Sequence, residues 1–456
     1  ELPGLQIYKN FTRAYQFGAD FSHVLGYIGK VGAEDLKNCG DCGPADIIGK
    51  SGLELFYDEI LRGKSGRKEF LRGSRGEIIG EMKETTSVSG SDLVLSVDGD
   101  FQKSASAKMS AELKNYGFSK GALAALNPAN GNILALASFP EFDPNLFTTK
   151  ISEADFSALF NNPNRPLFNR AISGNYPIGS TIKPIIGAAA LEEKIISPDY
   201  KIFDEGSIII QNPYDSSKPS VFKDWKAHGW TAMRQAIAES CNVYFYTIGG
   251  GFGNFEGLGV EKIKEYLLKF GFGEKLGVDL FGEAGGLVPD PEWKKTGNKY
   301  DPVWRIGDTY HLSIGQGDML ATPLQLAAAV SSLVNGGTLY RPRLVQEIKN
   351  ETVVKKIEPE ILRENFIKEE NLKVIREGMR QTVTDGSARS LADLPQAAAG
   401  KTGTAQFGSQ GKTHAWFTGF APYENPEIVL VVLVEGGGEG SSTAVPIAKE
   451  VFKSFF

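Results

Sequence analysis

The feature that most restricts the fold is the run Ile428–Val434, in which all seven residues are apolar and most are β-branched. A continuous apolar run of this length is typical of a strand that is buried on both faces. Residues 414–422 and the segment that starts at Lys401 precede it, with a glycine-rich turn between them. We therefore predict adjacent antiparallel strands, one of which carries Lys401 on its edge. The small residues at 396–400 would let that strand pack closely against a buried helix.

A serine and a lysine three residues apart form the first candidate motif. Ser180 and Lys183 precede an apolar, alanine-rich run of helical composition that ends at the polar residues 192–194. If Ser180 opens that helix, Pro184 lies in the first turn, where a missing N–H costs little. The two side chains then share one face, and the helix N-terminus favours negative charge beside the serine. Taken alone, the motif is better explained by a capping serine and a solvated lysine.

Two further motifs follow in order, Ser240 with Asn242 and then Lys401 to Gly403. Ser240 and Asn242 lie in a mostly apolar stretch, where buried polar side chains need partners. Each short pattern by itself is weak evidence for a catalytic site, so the flanking residues must distinguish a functional motif from a chance occurrence. The same S-x-x-K and K-T-G patterns recur at residues 65–68, 220–223, 295–297 and 409–412. We predict that the second K-T-G, at 295–297, is a surface turn, because no apolar strand pattern surrounds it.

In their order and context, these motifs resemble those of the penicillin-binding transpeptidases of peptidoglycan synthesis. Within that family the chain is most similar to the elongation-type class B enzymes, penicillin-binding protein 2. The resemblance extends over essentially the whole chain. Supporting stretches lie at residues 49–54, 61–63, 121–145, 164–170, 270–273, 313–317 and 322–325.

The resemblance implies an α+β fold with two domains. The larger would be a serine transpeptidase/β-lactamase-like domain, an antiparallel sheet flanked by helices, at residues 116–456. A smaller class B N-terminal domain, a pedestal or dimerisation-type domain that is truncated here, would precede it at residues 1–115. The length of 456 residues agrees with two domains.

The resemblance also implies a double acyl transfer. Ser180 would attack the amide between two D-alanines of a pentapeptide stem, with Lys183 as general base. Lys183 can act as a base only if its pKa is lowered, by partial burial and by a cationic neighbour such as Lys401. Ser240 would relay a proton to the leaving amine, and Asn242 would hydrogen-bond Lys183 and the substrate amide. An amine of a neighbouring stem peptide would then take the acyl group and form the cross-link.

Substrate binding is assigned by the same resemblance to the strand that begins at Lys401. Thr402 and Thr404, with Gly403 between them, would hold the terminal carboxylate of the substrate or the equivalent group of a β-lactam. Lys401 would supply positive charge there. The backbone N–H groups of Ser180 and Thr404 would form an oxyanion hole, in which one donor is worth about 3–4 kcal/mol. β-Lactams would acylate Ser180 and remain attached.

Composition and charge restrict the location and partners. The formal charge of −6 argues against nucleic acid as a partner, and no apolar run is long enough to span a membrane. Members of the family carry one N-terminal membrane anchor, so we expect this chain to be an extracytoplasmic (periplasmic) fragment without it. By resemblance, the partners are peptidoglycan stem peptides, β-lactam antibiotics, a membrane glycan polymerase and a rod-complex scaffold protein.

The three cysteines give two open questions. Cys39 and Cys42 lie in a polar turn and would either bond to each other in an oxidising periplasm or remain free. Cys241 has an apolar flank that favours a small buried residue. Some relatives bind zinc near the region of Asp224, His228 and Cys241, but the spacing is not diagnostic. We therefore predict neither a metal nor an organic cofactor.

Three functional classes remain open from the sequence. The first is the cross-linking transpeptidase. The second is a hydrolytic relative, either a D,D-carboxypeptidase or a β-lactamase. A class A β-lactamase would be a smaller single domain with an E-x-x-L-N motif after Asn242, and that motif is absent. The third is a β-lactam-sensing receptor or a catalytically silent scaffold, which the three intact motifs disfavour.

Overall fold

A computed structural model describes residues 12–456, with the exception of 41, 44–45, 213–214, 216, 298, 351 and 409–410. The chain divides into two compact units. The smaller unit comprises Glu1–Val94, Glu141–Leu167 and Val345–Ile357, and the larger comprises Leu95–Pro140, Phe168–Leu344 and Glu358–Phe456. The S-x-x-K pattern at 409–412 begins outside the described residues.

The larger unit is built on an antiparallel sheet. Its strands are β1 (Gly121–Leu126), β2 (Ile133–Phe139), β3 (Ala399–Phe407), β4 (Lys412–Ala421) and β5 (Ile428–Val434). Their order across the sheet is β3-β4-β5-β1-β2. Every residue of β5 is buried, which confirms the predicted strand that is covered on both faces. β3 is an edge strand, so one side of its backbone has no neighbouring strand.

Six helices of the larger unit pack around the sheet or position the candidate site. They are α1 (Gly99–Asn115), α2 (Lys183–Glu192), α3 (Asn242–Gly250), α4 (Pro323–Val334), α5 (Glu369–Thr384) and α6 (Ala444–Phe455). One face of the sheet, with Leu430 and Val432, forms a common core with Phe101 of α1 and Phe452 of α6. α4 contacts β5 and β1, and α5 contacts β3 and α2. The predicted α+β architecture, an antiparallel sheet flanked by helices, is confirmed.

The start of α4 shows how local sequence sets these boundaries. The hydroxyl group of Thr322 accepts the N–H of Gln325, and the Gln325 side chain accepts the N–H of Thr322. Pro323 occupies the first turn, where its missing N–H would have no partner in the helix. Thr322 as N-cap, Pro323 in the first turn and Gly336 past the end predict this helix from the sequence, and the reciprocal cap confirms its start.

Other elements of the larger unit are short. Its remaining described helices, α or 3₁₀, span Arg170–Ser173, Gly179–Ile182, Met233–Ala238, Gly259–Lys269, Pro291–Gly297, Ile306–Ser313 and Arg389–Leu391. Its other strands span Ile202–Asp204, Ser207–Ile210, Ser220–Lys223, Gly229–Thr231, Leu339–Tyr340 and Ile361–Arg363. Apolar residues at helical spacing predict helices at 183–194, 261–270, 370–383 and 445–455, and all four are present within two residues of these bounds. The turn predicted at 295–297 is wrong, because these residues end the helix Pro291–Gly297.

The smaller unit consists of short elements. Its described helices span Gly18–Phe21, Ser22–Leu25, Asp35–Asn38, Gly52–Phe56, Asp58–Arg62, Pro144–Phe147 and Glu153–Phe160. Its strands span Ile28–Lys30, Ile47–Gly49, Arg67–Arg72, Ile78–Thr85, Val345–Lys349 and Val354–Lys356, and Asp92–Leu95 lies at its end. Cys39 and Cys42 form a disulfide, with their Cα atoms 5.5 Å apart.

The two compact units divide between Val94 and Leu95, whereas the domain boundary between residues 115 and 116 stays a prediction. Helix α1 lies in the larger unit, and its buried residues Phe101 and Met109 belong to the core of the sheet. No pattern in the sequence links α1 to this core, because much of its packing is against α6 at the far end of the chain. Among the described helices, none combines the length and the hydropathy that a membrane crossing requires.

Candidate active site

Ser180 lies on a 3₁₀ turn, Gly179–Ile182, that leads directly into α2. We expected Ser180 to open the α-helix itself, but the α-helix begins at Lys183. Ser180 therefore sits one tight turn before the helix, next to N–H groups that have no partner within the helix. An oxyanion formed at Ser180 would lie in the positive field of this helix end.

Two glycines let this turn approach the edge strand β3. A Cβ atom on Gly179 would lie 2.8 Å from the carbonyl oxygen of Thr404, and Gly179 has a φ of +54°. A Cβ atom on Gly403 would lie 2.8 Å from Cγ2 of Thr181. Glycine is required at both positions, because any side chain would push the turn and the strand apart. The close approach places Ser180 beside Thr404.

Lys183 is the first residue of α2 and is fully buried. Its Nζ donates to Oδ1 of Asn242 at 2.7 Å and to the carbonyl oxygen of Ser240 at 2.8 Å, and it lies 3.2 Å from Oγ of Ser240. Burial lowers the pKa of Lys183 to about 8, although the negative charge of Asp224 opposes the change. A lysine with this pKa is partly neutral near pH 7 and can accept a proton.

Ser240 lies in the short connection between the helix Met233–Ala238 and α3. Its φ is +60°, a conformation that residues other than glycine rarely adopt. The next residue, Cys241, caps α3 by accepting the N–H of Tyr244 at Sγ, and Asn242 is the first helical residue. This constrained connection directs both the carbonyl group and the hydroxyl group of Ser240 towards Lys183.

Lys401 on β3 is also fully buried, and its Nζ donates to the carbonyl oxygen of Thr402 at 3.0 Å. Burial, reinforced by the charge of Lys183, lowers the pKa of Lys401 well below its usual range. We expected the opposite influence, with Lys401 lowering the pKa of Lys183. The physical reason for the difference is the order of titration, because the more strongly shifted lysine loses its proton first and then no longer repels the other.

The hydroxyl groups of Thr402 and Thr404 lie on the same side of β3, because side chains alternate along a strand. Oγ1 of Thr402 is 2.6 Å from Oγ of Ser387. Oγ1 of Thr404 donates to Oε2 of Glu439 at 2.8 Å. Both hydroxyl groups thus line the open side of the edge strand with a polar neighbour each.

An open cavity of about 610 Å³ joins these elements. Of the predicted site residues, it is lined by Ser180, Ser240, Asn242, Thr402 and Thr404, whereas Lys183 and Lys401 are buried beside it. The other lining residues had no role predicted from the sequence, although Gln316 and Gly317 lie in a stretch that supported the resemblance. These residues are Lys223, Trp225, Glu239, Tyr246, His311, Ile314, Gln316, Gly317, Ser387, Gln406, Thr413, Glu439 and Ser441.

A cluster of possible metal ligands lies behind α3. Asp224, His228 and Cys241 come together with Asp204, which the sequence analysis missed, and their ligand atoms all lie within 4.8 Å of one another. Asp204 reaches the cluster because the strand Ile202–Asp204 pairs with Gly229–Thr231, which directly follows His228. Nδ1 of His228 is 2.6 Å from Oδ2 of Asp204, and Sγ of Cys241 is 3.4 Å from the same oxygen.

The chemistry of this cluster would fit a zinc ion, whereas no metal was predicted from the sequence. Two carboxylates, an imidazole and a thiol are all zinc ligands, and four is the usual number for a structural site. Burial, together with the charge of Asp224, raises the pKa of the Cys241 thiol, so a cation is needed to stabilise its thiolate. Nε2 of His228 is buried without a hydrogen-bond partner among the described residues.

Comparison with known proteins agrees with the fold. Residues 121–453 match the penicillin-binding protein transpeptidase domain, and residues 1–95 match the penicillin-binding protein dimerisation domain. The chain therefore belongs to the penicillin-binding transpeptidases, of the elongation-type class B known as penicillin-binding protein 2. Peptidoglycan D,D-transpeptidase MrdA of Haemophilus influenzae is 35% identical in an alignment that covers 99% of this chain and 70% of the relative.

Solved structures give the same assignment. Pseudomonas aeruginosa PBP2, in complex with WCK 5153, is 34% identical with a TM-score of 0.82, covering 99% of this chain and 91% of that one. Helicobacter pylori PBP2, in a complex with MreC, is 33% identical with a TM-score of 0.82, covering 97% of this chain and 79% of that one. Both similarities extend over the two units of the chain.

Proposed function

We propose that the chain is a peptidoglycan D,D-transpeptidase that cross-links stem peptides during cell-wall elongation and uses Ser180 as its nucleophile. Family membership supports the activity. The observation that supports the residue roles is the contact of the buried Lys183 with Asn242 and Ser240, next to the cavity that Ser180 lines. This arrangement offers a lysine that is partly neutral near pH 7, three residues after a serine at a helix N-terminus, and acyl transfer to a serine requires such a base.

In the first step, Oγ of Ser180 attacks the carbonyl carbon of the D-alanyl-D-alanine amide while Lys183 accepts the hydroxyl proton. The backbone N–H groups of Ser180 and Thr404 hold the resulting oxyanion. When the C–N bond breaks, Ser240 passes the proton from Lys183 to the leaving nitrogen. D-Alanine departs, and the stem peptide remains as an ester on Ser180.

The substrate carboxylate binds to the edge strand. Thr402 and Thr404 donate hydroxyl hydrogens to it, and the buried Lys401 precedes them on the same strand. A bound carboxylate favours the charged form of Lys401 and so offsets the burial that lowers the pKa of this lysine in the free site. The positive charge is thus greatest when the substrate is present.

In the second step, a neutral amine of another stem peptide attacks the ester carbon. The new C–N bond forms as the C–O bond to Ser180 breaks, and a proton of the amine passes through Lys183 to Oγ of Ser180. A β-lactam enters the same first step, but its leaving nitrogen stays attached in the ring-opened product. It therefore blocks the site as a covalent adduct.

The zinc-ligand cluster has a supporting role in this scheme. Asp204, Asp224, His228 and Cys241 would hold the ion, which would compensate their buried negative charge. Because Cys241 lies between Ser240 and Asn242, fixing its position fixes both neighbours against Lys183. The ion would thus stabilise the site without taking part in the reaction.

The smaller unit and the location are inferred from relatives. The Helicobacter pylori relative is found in a complex with MreC, and a further relative belongs to a peptidoglycan synthase complex that coordinates polymerisation and cross-linking. We propose that this chain likewise binds a rod-complex scaffold protein and works beside a membrane glycan polymerase. The site of action would be the extracytoplasmic face of the cell membrane.

Intact-mass measurement after incubation with penicillin tests the proposal. We expect one stable adduct in the wild type and none in Ser180→Ala, with Ser65→Ala as the matched control because Ser65 begins an S-x-x-K pattern outside the site. Rapid loss of the adduct would indicate a β-lactamase, and the absence of any adduct would overturn the assignment. Incubation with lipid-linked peptidoglycan then distinguishes cross-linking from the carboxypeptidase reaction, which releases D-alanine without dimers.

A further inference from the structure

The loop after β5 places a carboxylate at the substrate-binding edge of β3. Oε2 of Glu439 accepts a hydrogen bond from Oγ1 of Thr404 at 2.8 Å, and Glu439 lines the active-site cavity. Glu439 is exposed, and no basic side chain of the described residues forms an ion pair with it. The Glu439 carboxylate, which lacks an ion-pair partner among those residues, therefore lies next to the hydroxyl group that would bind the substrate carboxylate.

The loop backbone fixes this arrangement. A Cβ atom on Gly440 would lie 2.4 Å from the carbonyl oxygen of Gly403, so the loop backbone lies directly against β3. Oγ1 of Thr413 donates to the carbonyl oxygen of Gly438 at 3.0 Å, and the N–H of Thr443 donates to that of Glu439 at 3.1 Å. The Glu439 backbone is thus held on both sides, while its exposed side chain can rotate.

The hydroxyl group of Thr404 has both of its hydrogen-bond roles filled by this loop. It accepts the N–H of Gly440 at 3.3 Å and donates its single hydrogen to Glu439. A hydroxyl group has only one hydrogen to donate. A substrate carboxylate can therefore receive the Thr404 hydrogen bond only if Glu439 gives it up.

We propose that Glu439 is a specificity-determining residue that competes with the donor carboxylate for the Thr404 hydroxyl group. This inference rests on the proposed function, because it concerns the same carboxylate site. The cost of binding is the lost Thr404–Glu439 hydrogen bond plus the repulsion between two carboxylates that share one hydroxyl neighbour. After D-alanine leaves, Thr404 returns to Glu439, which opposes rebinding of the leaving group and clears the cavity for the amine.

The proposed competition is tested by measuring how fast a penicillin and its methyl ester acylate the wild type and Glu439→Gln. Glutamine keeps the shape and a hydrogen-bond acceptor but removes the charge. Glu439→Gln removes the repulsion between the Glu439 carboxylate and the penicillin carboxylate, two like charges about one hydroxyl group apart in water. We therefore expect the second-order rate constant for acylation by the free acid to rise about fivefold in this variant. The rate constant for the uncharged ester should not change. Glu427→Gln, on an exposed glutamate that does not line the cavity, is the matched control.

The acid-to-ester ratio is the decisive quantity, because a general structural defect would lower both rates together. Higher salt should narrow the difference between the wild type and Glu439→Gln, since the repulsion is electrostatic. An unchanged ratio, or equal loss of both rates, would overturn the role of Glu439. Failure of the wild type to form any adduct on Ser180 would instead overturn the proposed function.

Discussion

Nζ of Lys183 lies 2.7 Å from Oδ1 of Asn242, although 59 residues separate them in the sequence. The amide oxygen is a neutral acceptor, so it orients the amine without stabilising its charge as a carboxylate would. Burial can then lower the pKa of Lys183 to about 8. The contact thus couples the geometry of the site to the protonation state of its base.

The acylation rate should increase with pH around the pKa of Lys183. With a pKa of about 8, the neutral fraction of the lysine rises about tenfold between pH 7 and pH 9. The second-order rate constant for penicillin acylation, measured from pH 6 to pH 10, should follow this titration. Lys183→Arg should be inactive throughout, because a guanidinium group stays charged. A flat profile for the wild type would rule out Lys183 as the titrating base.

Replacing Asn242 by aspartate should move that pH profile. A carboxylate at hydrogen-bond distance from Nζ favours the charged lysine and raises its pKa by about 1–3 units. Asn242→Asp should therefore acylate slowly at pH 7.5 and recover at higher pH. Asn115→Asp, at the end of α1, is the control for the added charge. An unshifted midpoint with a uniformly lower rate would mean that Asn242 does not set the protonation of Lys183.

Gly403→Ala should both destabilise the protein and slow acylation. The added Cβ atom would meet Cγ2 of Thr181 at 2.8 Å, so β3 must move away from the Ser180 turn. Overpacking of this kind costs about 1–3 kcal/mol. Gly80→Ala is the matched control, because a Cβ atom on this strand residue meets nothing within 4 Å. Thermal unfolding and penicillin acylation measure the two effects, and equal behaviour of the variants would contradict the packing argument.

Removal of a metal ion from the cluster of Asp204, Asp224, His228 and Cys241 should lower the thermal stability of the protein. We expect roughly one zinc ion per chain after purification with zinc, measured by mass spectrometry of the metal. Chelation should lower the melting temperature by about 5 °C, because a ligand that binds only the folded state stabilises it. His228→Ala should lose the zinc and His311→Ala should keep it. Wild-type protein without zinc under these conditions would exclude the site.

Local sequence determined what could be predicted of the fold. The apolar run of β5 and the reciprocal cap at Thr322 depend on neighbouring residues, so both were predictable. The turn predicted at 295–297 failed because helix Pro291–Gly297 is held by contacts from elsewhere, such as the ion pair of the buried Lys294 with Asp308 at 2.7 Å. Such contacts leave no periodic pattern in the sequence.

Parts of the site that depend on distant contacts were not predictable. Asp204 joins Cys241, 37 residues away, only because two three-residue strands pair. Glu439 meets Thr404 only because a glycine-rich loop packs back on β3, and no motif specifies that path. Position 240 holds a serine rather than a glycine or an asparagine, so the sequence did not indicate the positive φ of this residue. The motifs indicated the acyl-transfer reaction and its catalytic residues. Tertiary packing decides which charged side chains lie next to those residues.

The position of β5 has a consequence for biosynthesis. It is the last strand of the sheet in sequence and pairs with both β1, the first, and β4. Until β5 emerges, the sheet can exist only as two separate hairpins, β1–β2 and β3–β4, and isolated hairpins are marginally stable. Ser180 and Lys183 are synthesised long before β5. Until β5 is present, however, the edge strand β3 that they pack against is not stably folded. Chains that stop before residue 428 should therefore bind no penicillin, even though all three catalytic motifs are present in them.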